Sequence, residues 1–437
     1  MTRSDQPTQS GTALSAALYR TGNRPRSDVV WNTTSSLLFA VQSYAMLWVV
    51  QVTSGNVDAG VFSFATAQAF LFWSIGCYGM RPFQASDVQR AFSFAEYVGT
   101  RVVTIAAMVF TCAGFLVVQA LGHDLGRTKL LMILAVTGLR VVDAAEDVVI
   151  GHLQQRGYLF VGARAATIRA VVVLAVFSLA VVLRAGVVLA LLASIVASVA
   201  TLGMMVASAL PRSFAAHDRV FDTRRILRLL LECLPLLASA VLAMYLTNAP
   251  KYAIEAASPD RDIVQAEFGF LLMPGYVITL VSAFIYRPLI LPMARQWASH
   301  LHRALAGRVL RVGAAIVALT AVACAIGYPL GPPLLSWLFR TDLTSRGWQF
   351  TALLASGGLL ALVALETVVL TIMRRQLLMS VVSAVVTVTA LAVGGLVVGR
   401  WGLSGACALA VGIAAVQCVL LAAVMVAGVA RAARRPA

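Results

Sequence analysis

Charge is scarce in this chain. Only 12% of its 437 residues are Asp, Glu, Lys or Arg, about half the ~25% usual for soluble domains. Lysine is almost missing, with Lys129 and Lys251 as its two occurrences. The sequence is 60% hydrophobic, and its mean hydropathy is +0.87. That balance excludes a soluble domain, a disordered chain and a coiled coil. The six cysteines (Cys77, Cys112, Cys233, Cys324, Cys407, Cys418) all fall in or beside apolar runs, and no pair has CxxC spacing. They read as small core residues, which excludes a disulfide framework and a metal site.

Enzyme signatures are missing as well. Without GxxxxGK[ST] there is no Walker-type ATP site, and HExxH is absent too. The histidines (His123, His152, His217, His300, His302) lie mostly at loops. Asp260-Arg261-Asp262 matches a DxD motif only formally. It sits in a short loop assigned to the outside, where nucleotide sugars are absent. The net charge of +16 would suggest nucleic acid in a soluble protein. Here the bases sit between apolar runs, so topology accounts for most of them and no nucleic-acid partner is expected.

What is present is a series of long apolar runs. A bilayer core of about 30 Å takes ~20 helical residues per span. The runs place spans at 29–52, 60–80, 102–121, 129–150, 163–183, 186–209, 228–250, 267–291, 309–337, 349–372, 377–398 and 403–430. Backbone in lipid must satisfy its own hydrogen bonds, so these twelve are helices. The run from Val29 is too long for a signal-peptide core and lacks a cleavage signature, so it stays as the first span. Pro329, Pro332 and Pro333, with Gly331 between, are expected to break the ninth run near its outer end. Of the 34 basic residues, 24 fall on one side of the spans and 8 on the other, with Arg140 and Arg169 inside helical runs. That asymmetry puts both termini in the cytoplasm of a multi-pass cell-membrane protein.

A shift of 206 residues brings Phe62 and Phe64 onto Phe268 and Phe270, and Arg81-Pro82 onto Arg287-Pro288. Six helices per half is an even number, so the halves share one orientation. Such repeats are related by an axis along the membrane normal. The organisation expected is a cytoplasmic tail (1–28), an N-lobe (29–210), a linker (211–228), a C-lobe (229–430) and a basic tail (431–437). Two interfacial amphipathic helices are expected, one around Val220, Phe221, Ile226 and Leu227, the other over Arg295–Arg311 with Trp297 and Leu301.

The fourth span holds the densest intramembrane charge: Arg140, Asp143, Glu146 and Asp147. At ~100° per residue these share an arc of about 120°. Arg140 and Asp143 are spaced for an i,i+3 pair, with Arg140 near mid-bilayer. A charge there is costly and must meet a partner or a wet cavity. The arc either lines a translocation path or neutralises itself at the helix end; composition leaves both open. Arg169 opens the fifth span, and Glu366 is the one acid in the run Leu359–Ile372. Asp143, Glu146, Asp147 and Glu366 are the candidates for coupling to an ion. Arg81, Arg140, Arg169, Lys251 and Arg287 are the bases within or beside the spans available to an anion.

Several stretches resemble Wzx-like polysaccharide flippases. These form the polysaccharide transporter family, in the superfamily that also holds multidrug and toxin extrusion (MATE) transporters. The segment Tyr78-Gly-Met-Arg-Pro-Phe-Gln-Ala-Ser-Asp87, with Tyr97 and Arg101, is similar to that family's second-to-third helix junction. Asp143, Asp147, Gly151, Gln154, Arg156 and Arg169 resemble its charged fourth helix and following loop. Asn248-Ala-Pro-Lys-Tyr-Ala-Ile-Glu255, Gly331-Pro-Pro-Leu-Leu-Ser336 and Trp401-Gly-Leu-Ser-Gly-Ala406 are similar to segments of its second half. Arg140 departs from the family pattern. The resemblance implies an all-α membrane protein of two six-helix lobes forming a V around a central, often cationic cavity, with alternating access and no enzymatic activity or cofactor. It implies a lipid-linked oligosaccharide substrate carried on a polyprenyl diphosphate, and loose association with other polysaccharide-assembly proteins. Arg81, Arg140, Arg169, Lys251 and Arg287 are then the candidates to hold the diphosphate, which Arg binds bidentately. The rival within the same fold is an ion-coupled antiporter of organic cations, which favours a net acidic cavity. A membrane glycosyltransferase or polymerase would need a sizeable soluble domain or outer loop, and none fits.

Overall fold

The computed structural model describes residues 13–20, 24–87, 89–122, 125–210 and 216–433. Arg3, Arg212, Arg434, Arg435 and part of the expected linker and tails lie outside them. The described residues are helical almost throughout and contain no strand. The chain begins with α1 (Ala13–Tyr19), α2 (Arg24–Ser54), α3 (Asn56–Cys77), α4 (Met80–Ser86) and α5 (Phe94–Gly122). Next come α6 (Arg127–Gln155), α7 (Leu159–Val182), α8 (Val187–Ala209) and α9 (Thr223–Ala257). The last are α10 (Arg261–Tyr286), α11 (Ile290–Ala298), α12 (His302–Phe339), α13 (Gly347–Ile372) and α14 (Gln376–Ala433).

Among the described residues, ten helical stretches are long and apolar enough to cross a membrane. Two features bring these to the twelve expected spans. First, α6 has the length of a span, at 29 residues, but its charges lower its hydropathy. Second, α14 runs for 58 residues, about 87 Å at 1.5 Å per residue, far more than one ~30 Å crossing. Its backbone leaves the helical region at Gly402 (φ 54°, ψ −130°), so it is two helices meeting where the gap between the last two spans was expected. The protein is a multi-pass membrane protein.

The chain divides into two compact units. One is Met1–Thr53 with Ala65–Val241; the other is Ser54–Phe64 with Leu242–Ala437. In the first, α6 packs against α4, α5, α7 and α8. Phe94, Tyr97, Phe160, Leu153 and Met80 form a buried core at one end of it. In the second, α13 packs against α10, α12 and α14. Glycine permits this: a Cβ on Gly357 would lie 2.3 Å from the Gly275 carbonyl oxygen, and one on Gly331 2.2 Å from the Phe350 ring. Small residues let membrane helices approach backbone to backbone. The Thr279 hydroxyl donates to the Gly357 carbonyl at 3.0 Å across the same contact.

Three sequence expectations need correction. The prolines do not break the ninth span, because α12 continues through Pro329, Pro332 and Pro333. Each proline leaves the carbonyl four residues earlier (Ala325, Tyr328, Pro329) without its helical donor, a loss that a packed membrane helix tolerates without ending. The stretch Arg295–Arg311 is not one interfacial helix. A break at Ser299–Leu301, with His300 at φ 56°, separates the short amphipathic α11 from the start of α12. Ile226 and Leu227 belong to the first turns of α9 and not to a separate interfacial helix.

The Arg-Pro pairs sit just past a helix end in both units. Tyr78 and Gly79, both with positive φ, terminate α3, and Arg81-Pro82 opens α4. In the second unit, Arg287-Pro288 forms a 3-10 turn between α10 and α11. The aligned phenylalanines Phe62, Phe64, Phe268 and Phe270 are all buried.

Candidate functional site

The charged arc of α6 is the centre of the first unit. Arg140 reaches Asp143 at 2.6 Å, the i,i+3 pair the spacing predicts. Arg169 of α7 then ties two acids together. It lies 2.7 Å from Asp143 and grips both oxygens of Glu146 at 2.9 and 2.6 Å. Its remaining arm donates to the Ser198 hydroxyl of α8 at 2.8 Å. Asp147, one turn from Asp143, faces Arg101 of α5 at 2.7 Å and Arg81 of α4 at 3.7 Å. Four guanidinium groups from four helices therefore converge on three carboxylates that α6 alone supplies.

The helices deliver these side chains for local reasons. Gly79, left-handed at φ 62°, packs where a Cβ would sit 2.6 Å from that of Leu236, and the resulting turn swings α4 so that Arg81 points back towards α6. Gln154 of α6 accepts from Arg81 at 3.4 Å. Asp87 fixes the loop after α4 by accepting from the Ala91 and Phe92 amides and from the Tyr97 hydroxyl. Arg101 is fully enclosed. It donates to the Gly76 carbonyl near the end of α3, which the Thr104 hydroxyl also reaches at 2.8 Å.

Burial sorts the cluster into an inner and an outer part. Arg101 and Arg140 are each 2% exposed, while the Arg81 side chain is 31% exposed. Arg140 packs over the Phe70 ring at 4.6 Å and the Phe39 ring at 5.4 Å. A cavity of about 250 Å³ opens beside the outer part. Asp143, Glu146, Asp147, Arg81 and Arg169 line it, with Asn32, Ser35 and Ser36 of α2 adding neutral polar groups. The small side chains Ala163, Ala166 and Ala170 of α7 leave the room. Arg140 stands behind this wall. The cavity thus meets three acids and two bases, and two more bases hold the acids from behind.

The other candidates lie in the second unit, apart from one another. Glu366 of α13 is buried; its Oε1 is 3.5 Å from the Cys418 thiol, and its Oε2 has no hydrogen-bond partner among the described residues. Lys251 of α9 is buried with its Nζ 3.5 Å from the Ser63 carbonyl oxygen. Arg287 is exposed at its 3-10 turn.

Sequence reasoning counted Arg101 among the topological bases. Its place at the edge of an apolar run looks the same for a buried arginine as for a solvated one. The one signal was its recurrence with Tyr97 in the segment that carried the family resemblance. Ser198, which completes the Arg169 shell, sits in the apolar stretch of α8 with nothing to mark it.

No protein-family model matches the chain, and no curated protein matches it. Solved structures do. An inward-facing multidrug resistance MATE family transporter of the MOP superfamily is similar at 14% identity, with a TM-score of 0.59, over 96% of this chain and 97% of that one. The eukaryotic MATE transporter AtDTX14 is similar at 13% identity and TM-score 0.59, over 94% and 99%. A MOP superfamily transporter from Pyrococcus furiosus, described as having a binding pocket of reverse polarity, is similar at 14% identity and TM-score 0.54, over 97% and 99%. The chain has the fold of MATE transporters. That is the fold the sequence resemblance implied, and the matches do not single out the polysaccharide branch of the superfamily.

Proposed function

We propose that the chain is a non-enzymatic membrane transporter working by alternating access, and that the α6 cluster and its cavity form its cargo and coupling site. The single observation that carries this is three carboxylates and two arginines facing an approximately 250 Å³ cavity inside a membrane protein. Intramembrane charge facing a cavity marks a transport path. Absence of an ATP motif leaves an ion gradient, or consumption of the product outside, as the driving force.

Between the two cargo classes, the organic-cation antiporter is favoured over the lipid-linked oligosaccharide flippase. The solved neighbours include multidrug transporters, and the acids outnumber the bases on the cavity wall. At the α6 site the arginines that would hold a diphosphate are already engaged. Arg140 and Arg169 are buried in ion pairs and Arg81 alone of the three is partly open to solvent, while the exposed Arg287 lies in the other unit. An arriving cation can compete with Arg169 for Asp143 and Glu146. The flippase reading keeps the support of the Tyr78–Asp87 and Asn248–Glu255 resemblance. Glu366, a buried acid whose hydrogen-bond partner among the described residues is the Cys418 thiol, is the second coupling candidate. The test is transport by purified protein in liposomes of an aromatic organic cation such as ethidium, beside flipping of a polyprenyl-diphosphate oligosaccharide. Cation exchange against an imposed pH gradient supports the antiporter. Flipping without cation exchange overturns it in favour of the flippase.

A further inference from the structure

The segment around α11 carries a second feature, apart from the α6 site. From Phe268 to Thr341 the sequence contains no Asp or Glu, yet it holds Arg287, Arg295, Arg303, Arg308 and Arg311 within one short stretch. All five are arginines. The structure gathers them at the junction of α10, α11 and α12. Arg287, Arg295, Arg303 and Arg311 are exposed, Arg308 is half-buried, and none of the five is ion-paired among the described residues. The basic stretch around α9 differs: there Asp218, Asp222 and Glu232 interleave with the arginines, and Arg156–Asp218 and Arg228–Glu232 pairs form.

The junction also has the apolar half of a surface-seeking device. At nine residues, α11 is about 14 Å long and too short to cross a bilayer. Met293 is fully buried and anchors it against the body of the unit, while Leu291 on α11 and Leu301 beyond it are 58% and 55% exposed. Trp297 packs at 4.9 Å on His302 across the left-handed turn at His300, which holds α11 against the start of α12. Tryptophan and leucine beside unpaired arginines are what a helix in the headgroup layer presents.

We propose that this junction binds the headgroups of anionic phospholipids. A topological charge bias needs only positive residues at that end of the spans. It does not need five arginines with no acid among them over 287–311, just outside the α10 span, or an anchored amphipathic helix. Arginine's planar fork pairs two N–H groups with two phosphate oxygens, which a lysine cannot do. The exposed leucines and Trp297 favour a lipid over a free anion or an acidic peptide, because those ligands offer no apolar layer. The site is independent of which cargo the protein carries.

The experiment is native mass spectrometry of the full chain in detergent with equimolar phosphatidylglycerol and phosphatidylcholine. Each basic residue near an anionic lipid surface is worth roughly fivefold in affinity. The wild type is expected to prefer phosphatidylglycerol by about tenfold or more. The variant R295Q/R303Q/R311Q should lose that preference, and the matched control R219Q/R224Q/R228Q should keep it. Equal binding of the two lipids by the wild type, or equal loss in the control, overturns the proposal. So does full competition by inorganic phosphate or by a polyglutamate peptide. If the glutamine variant does not accumulate, R295K/R303K/R311K keeps the charge needed for insertion. An unchanged lipid preference in that variant overturns the arginine-specific site.

Discussion

Removing Arg169 and removing Glu146 should have unequal costs, although the two residues form one pair. In Arg169→Gln, Glu146 loses both contacts, at 2.9 and 2.6 Å, and has no other cation within ion-pairing distance among the described residues. Asp143 fares better because Arg140 remains at 2.6 Å. The variant therefore leaves one buried carboxylate uncompensated, a loss of about 3–5 kcal/mol. In Glu146→Gln, Arg169 keeps Asp143 at 2.7 Å and Ser198 at 2.8 Å, so the loss should be nearer ~1–2 kcal/mol. The double variant leaves no orphan charge and should be more stable than Arg169→Gln alone, giving a favourable coupling energy of about 2 kcal/mol or more. The assay is reversible unfolding of the four proteins in mixed micelles. Equal costs for the two single variants, or strict additivity in the double, would refute the geometry on which the site is built.

Other expectations follow from the same contacts. Gly357→Ala places a Cβ 2.3 Å from the Gly275 carbonyl oxygen, so thermal unfolding in detergent should show a loss of about 1–3 kcal/mol. Arg140→Ala should abolish transport in liposomes while the protein still inserts, since Asp143 then depends on Arg169 alone; full transport by the variant contradicts this. Glu366→Gln should leave expression unchanged and remove most of the dependence of transport on an imposed pH gradient, and full retention would make Glu366 a packing residue. Arg101→Lys keeps the charge but not the simultaneous reach to Gly76 and Asp147. A transport loss of at least about tenfold is expected, because Arg and Lys are not interchangeable at a forked site.

The helix count, the position of the break near Gly402 and the charged arc of α6 were legible in the sequence because each contrasts with an apolar background. Charge in an apolar run must be compensated, so Arg140, Asp143, Glu146 and Asp147 stood out, and Arg140–Asp143 followed from helical spacing alone. What compensates the remaining acids was not legible. Arg101 and Arg81 come from α5 and α4, and their approach to Asp147 depends on the turn at Tyr78–Gly79, a tertiary arrangement that periodicity does not encode. Proline misled at Pro329, Pro332 and Pro333 because a helix packed on a glycine face can lose backbone hydrogen bonds without ending. The basic stretch at Arg295–Arg311 was legible as amphipathic, but the left-handed turn at His300 that splits it was not, since nothing about histidine demands positive φ.

In the proposed function the α6 acids carry the transport step. The most direct test is ethidium exchange by purified protein in liposomes under an inward-acid and an outward-acid gradient, comparing the wild type with Asp143→Asn and Glu146→Gln. Exchange whose direction follows the gradient is expected in the wild type, with loss of that dependence in both variants while the protein stays folded. Gradient-driven exchange that persists unchanged in both variants would contradict that role.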